Sequence, residues 1–371
     1  VPSPRGLAIL VALSALLLLA GLGRSALTDR DEGANAGAAR EMLEQGAWVT
    51  PTLDYWPRFA KPAFVYWLMA GAYRVLGVGE TAARLPSALA ATALVFVQYA
   101  FARWALGSAV ALRAALVLLT SFLFVALGRM ALTDATLVLW TTTAGFAFFR
   151  AHAGPAPRRR YYAIAWIALA LALLTKGPVG VIVPLLGITA YLAVGGGSRR
   201  AATEAGVVWG VPLFLLLAGP WYAAMFWLHG VDYAARAQGE TLGRVFRAVT
   251  GPGGTALFYV PVLLVGMFPW SATLPGVLVG ALRGARARAL GSLPGATAVF
   301  AALWVASGFL LFSILQSRLP HYVAPLVPFA ALLVAAGWPG LWPAVTGWLL
   351  ATLGASLGVL AIATRALGRT V

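Results

Sequence analysis

Eleven apolar runs, each close to the roughly 20 residues that carry a helix across a hydrocarbon core, follow one another along this chain. They lie near 6–23, 82–102, 110–128, 133–150, 161–175, 178–195, 204–227, 256–280, 296–316, 322–338 and 342–363. In lipid, backbone polar groups must be satisfied inside the spanning segment, and runs of this length do that as helices. The expected fold class is an all-α polytopic membrane protein of about eleven transmembrane helices. The TKGP break at 175–178 leaves 161–195 as the pair of spans least sharply defined, because proline interrupts a helix pattern. A cleaved secretory signal over 6–23, with GRSALT as a poor cleavage site, is the weaker alternative, since a retained first span is normal when many follow.

Only 10% of the residues are charged, against about 25% in a soluble domain. The net charge of +16 comes from 25 arginines and 2 lysines against 11 acids. In a soluble protein that balance would suggest nucleic acid; here loop anchoring accounts for it, and no nucleic-acid partner is expected. The absence of cysteine excludes disulfides and thiol chemistry.

Charge placement sets the topology. Pro62–Gly77 is apolar but short and carries Arg74, which reads as a helix on the membrane surface. With that segment outside the spans, Arg5, Arg103, Arg113, Arg150, Arg158, Arg159, Arg160, Arg199, Arg200, Arg283, Arg286 and Arg288 share one side, against Arg129, Lys176 and Arg318 on the other. The first side is then cytoplasmic. Among the acids only Glu204 falls there. Two long extracytoplasmic segments result, 24–81 and 228–255. The basic runs GPAPRRR and RGARARALG read as leaflet anchors.

The first of those segments is a polar island. Thr28–Trp67 holds Asp29, Asp31, Glu32, Glu41, Glu44 and Asp54, six of the eleven acids, and Lys61, one of the two lysines. Ionisable groups concentrated in one place in a membrane chain point to chemistry or binding. A surface helix is expected over 33–46, with Arg40 and Glu44 paired four residues apart and Gly46 ending it.

Asp31-Glu32 after the first span, AREML with GAWVTP, FAKPAFVYW, GETAARLPSAL, RMALTDATL, LALLTKGPVGVIVPLL, GPWY, GETLGRVF and SRLPHYVAPLVPFAAL occur in that order. The series resembles the aminoarabinose-transferase branch of the protein O-mannosyltransferase-like GT-C glycosyltransferases, over roughly residues 5–335. The resemblance implies a GT-C bundle and transfer of a sugar from a polyprenyl-phosphate carrier, with inversion, at the outer face of a bacterial cytoplasmic membrane. A lipid-linked sugar donor, a glycolipid (lipid A-like) or protein acceptor and membrane lipids are the implied partners. A monomer is expected, as one GT-C-like domain over 1–371 with no C-terminal soluble domain, which leaves the acceptor open.

Such a reaction needs an acceptor for the hydroxyl proton and cations for the leaving phosphate. The resemblance places the catalytic Asp at Asp31. The alternative is that Asp29, Asp31 and Glu32 cap the next helix, a role Asp29 fits better. Asp134, at the mouth of a span five residues after Arg129, either assists Asp31 or forms an Arg129–Asp134 pair. Lys61 and Arg244 match the family's phosphate ligands. Lys176 joins them because both lysines of an arginine-rich chain precede proline-bearing turns on the outer side, which suggests that a compact ammonium is wanted there. His321 and Tyr322 are candidate phosphate or sugar contacts, or merely interfacial residues; Glu32, Arg129 and Trp67 are candidate supports. Asn35 stands where the family usually has Tyr. In relatives the His at 321 joins two further ligands at a zinc site, whose places are taken here by Ala60 and Thr241. One ligand of three does not hold zinc, so no metal and no cofactor are expected. Trp48, Trp56, Trp67, Trp221, Trp227 and Trp270 suit an aromatic belt, with sugar stacking as the alternative. His152 and His229 read as incidental. Two further functions compete: a lipid transporter, disfavoured by the lack of mid-span acids and inverted repeats, and a non-catalytic homologue.

Overall fold

The computed structural model describes residues 4–155, 158–195, 203–241, 255–284 and 288–337. Among the described residues, the regular structure is helical apart from a two-residue antiparallel ladder between β1 (Thr52–Leu53) and β2 (Trp56–Pro57). Helix α1 (Pro4–Ser14) continues into a π turn over Ala15–Leu19. The first polar segment then carries α2 (Arg30–Gln45), the hairpin and α3 (Phe64–Leu76). The bundle follows: α4 (Glu80–Leu106), α5 (Ser108–Leu119), α6 (Phe122–Gly128), α7 (Asp134–Ala153), α8 (Arg158–Lys176), α9 (Val179–Gly195), α10 (Val207–Thr241), α11 (Tyr259–Gly266), α12 (Leu274–Gly284), α13 (Leu293–Ile314) and α14 (Val327–Ala336).

Several expected rods are interrupted. Among the described residues, α4, α13 and the Val207–Ala237 part of α10, which kinks at Gly230 (φ 49), are long and apolar enough to cross a membrane, and α5 with α6 makes a fourth span bent by 65°. The expected single helix over 110–128 thus turns at Thr120–Ser121. There the Thr120 and Ser121 hydroxyls donate to the carbonyls of Leu116 and Val117 four residues back, a local bond that bends helices. The run 256–280 breaks between α11 and α12 around Phe268-Pro269. The run 322–338 starts as a 3-10 turn over Pro320–Leu326 before α14. Proline removes the donor a continuous helix would need. The 161–195 region forms two helices separated by Gly177, at φ +73. The run 342–363 lies outside the described residues.

Helix α3 has 13 residues, about 20 Å at 1.5 Å per residue, too short for a core of about 30 Å. It buries Val65, Tyr66, Met69 and Tyr73, and these belong to one apolar cluster with Ala38, Ala39 and Met42 of α2 and Trp221 and Met225 of α10. Helix α2 begins at Arg30, earlier than the sequence suggests. The Asp29 side chain caps it, accepting from the amides of Asp31 and Glu32 at 2.8 and 3.3 Å. Gly46 closes it in the left-handed region at φ 65, and Arg40 meets Glu44 at 3.3 Å.

The bundle core centres on Trp304 of α13. Its ring stacks on Phe329 of α14 at 4.1 Å, and its Nε1 donates to the Pro325 carbonyl at 3.2 Å. A methyl at Gly145 of α7 or Gly187 of α9 would strike that ring, so those two positions set how closely three helices approach. Gln98 of α4 donates to the Pro328 carbonyl at 2.9 Å, a buried bond that ties α4 to α14.

Candidate active site

Where the first polar segment meets the ends of α7, α8 and the 320–326 turn, the structure gathers charge. Helix α2 starts immediately after its cap, so Asp31 sits in its first turn, half-buried, with Lys61 Nζ at 3.5 Å. Lys61 precedes Pro62 and the start of α3; the proline denies this turn a donor and helps fix the backbone that presents the ammonium. Helices α7 and α8 run antiparallel, which brings Asp134, the first residue of one, to Lys176, the last of the other, at 2.6 Å. Each carboxylate thus has its own ammonium, and both lysine side chains are only 11% exposed. The Lys176 Nζ also lies 5.4 Å from the Tyr322 ring centroid. His321, whose ring is 5.1 Å from that of Tyr322, is close enough to act electrostatically on Asp31.

The charges hold one another. Burial pushes the Asp31 carboxyl up, but the charge and hydrogen bond of Lys61, with His321 and Arg58, outweigh it and hold the group below the usual carboxylate range. Burial and the neighbouring Lys176 push the Lys61 ammonium down, against the pull of Asp31 and Asp134. Three cations, Arg58, Lys61 and Lys176, thus face two carboxylates, Asp31 and Asp134. That imbalance favours an anion.

Lys61, Asp134, Lys176 and Tyr322 line one end of a cavity of about 540 Å³. The rest of its wall is mostly apolar, from Leu137, Ile182, Phe226, Phe312 and Leu315 among others. Phe59 and Tyr233, both in its wall, pack edge to face at 5.6 Å. A charged end on an apolar cavity suits an amphiphile with an anionic head.

Of the remaining residues singled out from sequence, Arg129 is not the partner of Asp134. It donates to the Leu17 carbonyl at 3.0 Å, in the π turn where helical bonding is irregular. Glu32 is buried away from the cavity, and Trp67 donates to the Trp48 carbonyl at 2.7 Å. Trp221 and Trp270 are tied to Val49 and Thr120 and do not line this cavity. Asn35 is fully buried and donates to the Ala131 carbonyl at 3.0 Å. His229 is not idle: its Nε2 lies 2.7 Å from the Thr50 hydroxyl. Arg244 and the Thr241 side chain lie outside the described residues. Among those described, no three His, Cys, Asp or Glu side chains are placed to hold one metal ion.

Two arginines were not singled out. Arg58, three residues before Lys61, donates to the Tyr66 hydroxyl at 3.2 Å. Arg84 is 4% exposed and grips both Glu32 oxygens at 2.9 and 3.0 Å and the carbonyls of Leu22, Ser25 and Ala26. Glu32 Oε1 in turn accepts from the Ala131 amide at 2.7 Å. The brace connects the turn holding Asp31 to the loop that leads into Asp134. An arginine near the start of an apolar run was its sequence signal, since such a charge is retained only when bonded.

The profile of the dolichyl-phosphate-mannose-protein mannosyltransferase family matches residues 60–223. The undecaprenyl phosphate-alpha-4-amino-4-deoxy-L-arabinose arabinosyl transferase of Pectobacterium carotovorum is 30% identical over 97% of this chain and 64% of its own length. The chain therefore spans less than two thirds of the curated relatives it matches first. The crystal structure of ArnT from Cupriavidus metallidurans bound to undecaprenyl phosphate superposes with a TM-score of 0.85 at 26% identity, covering 97% of this chain and 65% of that one. An oligosaccharyltransferase of Archaeoglobus fulgidus shares the fold alone, with a TM-score of 0.58 at 14% identity over 89% of this chain and 50% of that one. In sequence and in fold, the chain is similar to the ArnT-like, protein O-mannosyltransferase-like GT-C membrane glycosyltransferases.

Proposed function

We propose that this multi-pass membrane protein transfers a sugar from a polyprenyl-phosphate donor to a hydroxyl of a lipid A-like glycolipid or a protein, at the outer face of the cytoplasmic membrane. The observation that carries the reading is the pair of Asp–Lys contacts, Asp31–Lys61 and Asp134–Lys176, of which Lys61, Asp134 and Lys176 line the cavity and Asp31 adjoins it through Lys61. The prenyl chain would occupy the apolar part and its phosphate the end bearing Lys61, Lys176 and Tyr322. The acceptor oxygen attacks the anomeric carbon as the carbon–oxygen bond to phosphate breaks, and its proton passes to Asp31. The lysines stabilise the charge collecting on the departing polyprenyl phosphate. Arg244, where the family's second phosphate ligand falls, completes this assignment. The likeness to relatives whose names carry undecaprenyl phosphate supports the donor class. No metal is assigned to the site, because Ala60 and Thr241 stand where the family's other ligands would be.

The test is donor binding and turnover in nanodiscs for three variants. Asp31→Asn keeps size and removes the base, so turnover should fall about 10²–10⁴-fold with donor affinity little changed. Lys61→Ala should weaken donor binding and slow transfer together. Lys61→Arg should restore part of both, since guanidinium differs in shape and hydration. Normal turnover in Asp31→Asn would reduce that residue to a group of the first helical turn and leave Asp134 as the base.

A further inference from the structure

The hairpin that pairs Asp134 with Lys176 at one end carries arginines at the other. Arg150 lies sixteen residues along α7 from Asp134, about 24 Å. There the Arg150 guanidinium carbon sits 4.6 Å from the Tyr161 ring centroid and 4.9 Å from that of Trp104. The Arg160 guanidinium also sits 4.6 Å from the Tyr161 centroid, and it donates to the Tyr161 hydroxyl at 2.6 Å. The two cations are therefore no farther apart than twice 4.6 Å. Arg159 lies over Trp209 at 5.4 Å.

Among the described residues, none of these three arginines has a carboxylate within ion-pair distance. The one acid of this end, Glu204, has both its oxygens on Arg158 Nη1 at 2.9 Å. Aromatic faces attract a guanidinium and fix its orientation, but they carry no net charge. Two cations held on one ring repel unless an anion lies with them.

We propose that this end of the α7–α8 hairpin binds the headgroup phosphate of an anionic phospholipid, with Arg150 and Arg160 closing on it and Arg159 flanking. A helix length separates the site from the cavity, which sets it at the headgroup level of the opposite leaflet, where anionic phosphates attract juxtamembrane arginines. Trp104 and Trp209 are also residues suited to that level. The proposal does not depend on the sugar-transfer reading.

The experiment reconstitutes the full chain in phosphatidylcholine vesicles doped with phosphatidylglycerol, then counts retained phosphatidylglycerol by native mass spectrometry and measures its affinity. Arg150→Gln or Arg160→Gln should weaken retention roughly fivefold, and the double variant roughly 30-fold. Arg103→Gln, at the same end and on none of these rings, should change it less than about twofold. Tyr161→Leu preserves the charge but removes the platform, and should weaken retention, whereas Tyr161→Phe keeps the ring and should retain it. Because Arg160 is exposed, its variant reads the outcome even if the double variant misfolds. Equal losses in Arg103→Gln and Arg150→Gln, or no loss in Tyr161→Leu, would mean diffuse surface charge and overturn the proposal. Displacement of the lipid by inorganic phosphate as readily as by phosphatidylglycerol would reassign the site to a soluble anion and overturn it as well.

Discussion

Lys176 Nζ and Asp134 Oδ1 stand 2.6 Å apart, a contact between the last residue of one helix and the first of the helix before it. With Asp134 only 3% exposed at its side chain, removal of the ammonium leaves a buried carboxylate without its partner. Lys176→Met should destabilise the protein by about 3–5 kcal/mol. Adding Asp134→Asn should recover most of that loss. Thermal unfolding in detergent checks both; equal stability of the single and double variants would show that the pair is not coupled.

Activity should fall at the pH extremes in a way that identifies both members of the first pair. The Lys61 ammonium, pushed down by burial and Lys176, loses its charge as pH rises through a value below the ordinary lysine range. The alkaline limb of kcat/KM should therefore begin early, and Lys61→Arg should move it upward. The Asp31 carboxylate, held low chiefly by Lys61 against burial, stays ionised until the pH falls beneath the usual carboxylate range. Lys61→Ala should raise the acid limb. A profile in which Lys61→Arg leaves the alkaline limb in place would assign that limb to another group.

Arg84 offers a separable positioning effect. Arg84→Lys keeps the charge but loses the bidentate grip on Glu32 and most of the three carbonyl bonds. Turnover should fall about 10²-fold, as expected when reacting groups shift by an ångström, while donor binding stays near normal. Equal losses in both would make Arg84 a general stability residue.

Residues 24–81 should lie wholly on one side of the membrane. Trp56 and Val78, 77% and 61% exposed, flank α3. Trp56→Cys and Val78→Cys should both react with an impermeant thiol reagent in intact spheroplasts, since the chain has no native cysteine. Labelling of Trp56→Cys alone would mean that α3 spans.

Purified protein should contain substoichiometric zinc by elemental mass spectrometry, and chelator should leave turnover unchanged. Stoichiometric zinc lost on mutating His321 would sink this expectation.

Local chemistry was readable from the chain. The Asp29 cap, the Gly46 stop and the Arg40–Glu44 pair follow from neighbours a few residues apart, and the structure has all three. The polar island and the two unusual lysines also led to residues that meet at one cavity. What sequence proximity hid was the partner of Asp134. Arg129 is five residues away in the chain but faces the Leu17 carbonyl, whereas Lys176, 42 residues away, arrives through antiparallel helix packing. Arg84 was hidden inside an apolar run, where its five backbone and carboxylate contacts depend on how the preceding loop folds over it. The breaks within several of the apolar runs were hidden for a related reason. Prolines such as Pro269 and Pro320 and hydroxyl-to-carbonyl bonds divide runs that composition alone leaves whole.

The uninterrupted α7 has one more effect. An α-helix rotates about 100° per residue, so the twenty residues from Asp134 to Ala153 act as a screw of fixed pitch. A single residue inserted near Thr142 would turn Asp134 about a quarter-revolution relative to Arg150 and slide it about 1.5 Å. That turn would carry the Asp134 carboxylate away from its 2.6 Å contact with Lys176. Insertions of three or four residues would nearly restore the phase but lengthen the rod by about one turn, 5.4 Å. The number of residues between the two ends is therefore locked in both angle and length, and homologous chains that keep both ends would have to keep it too.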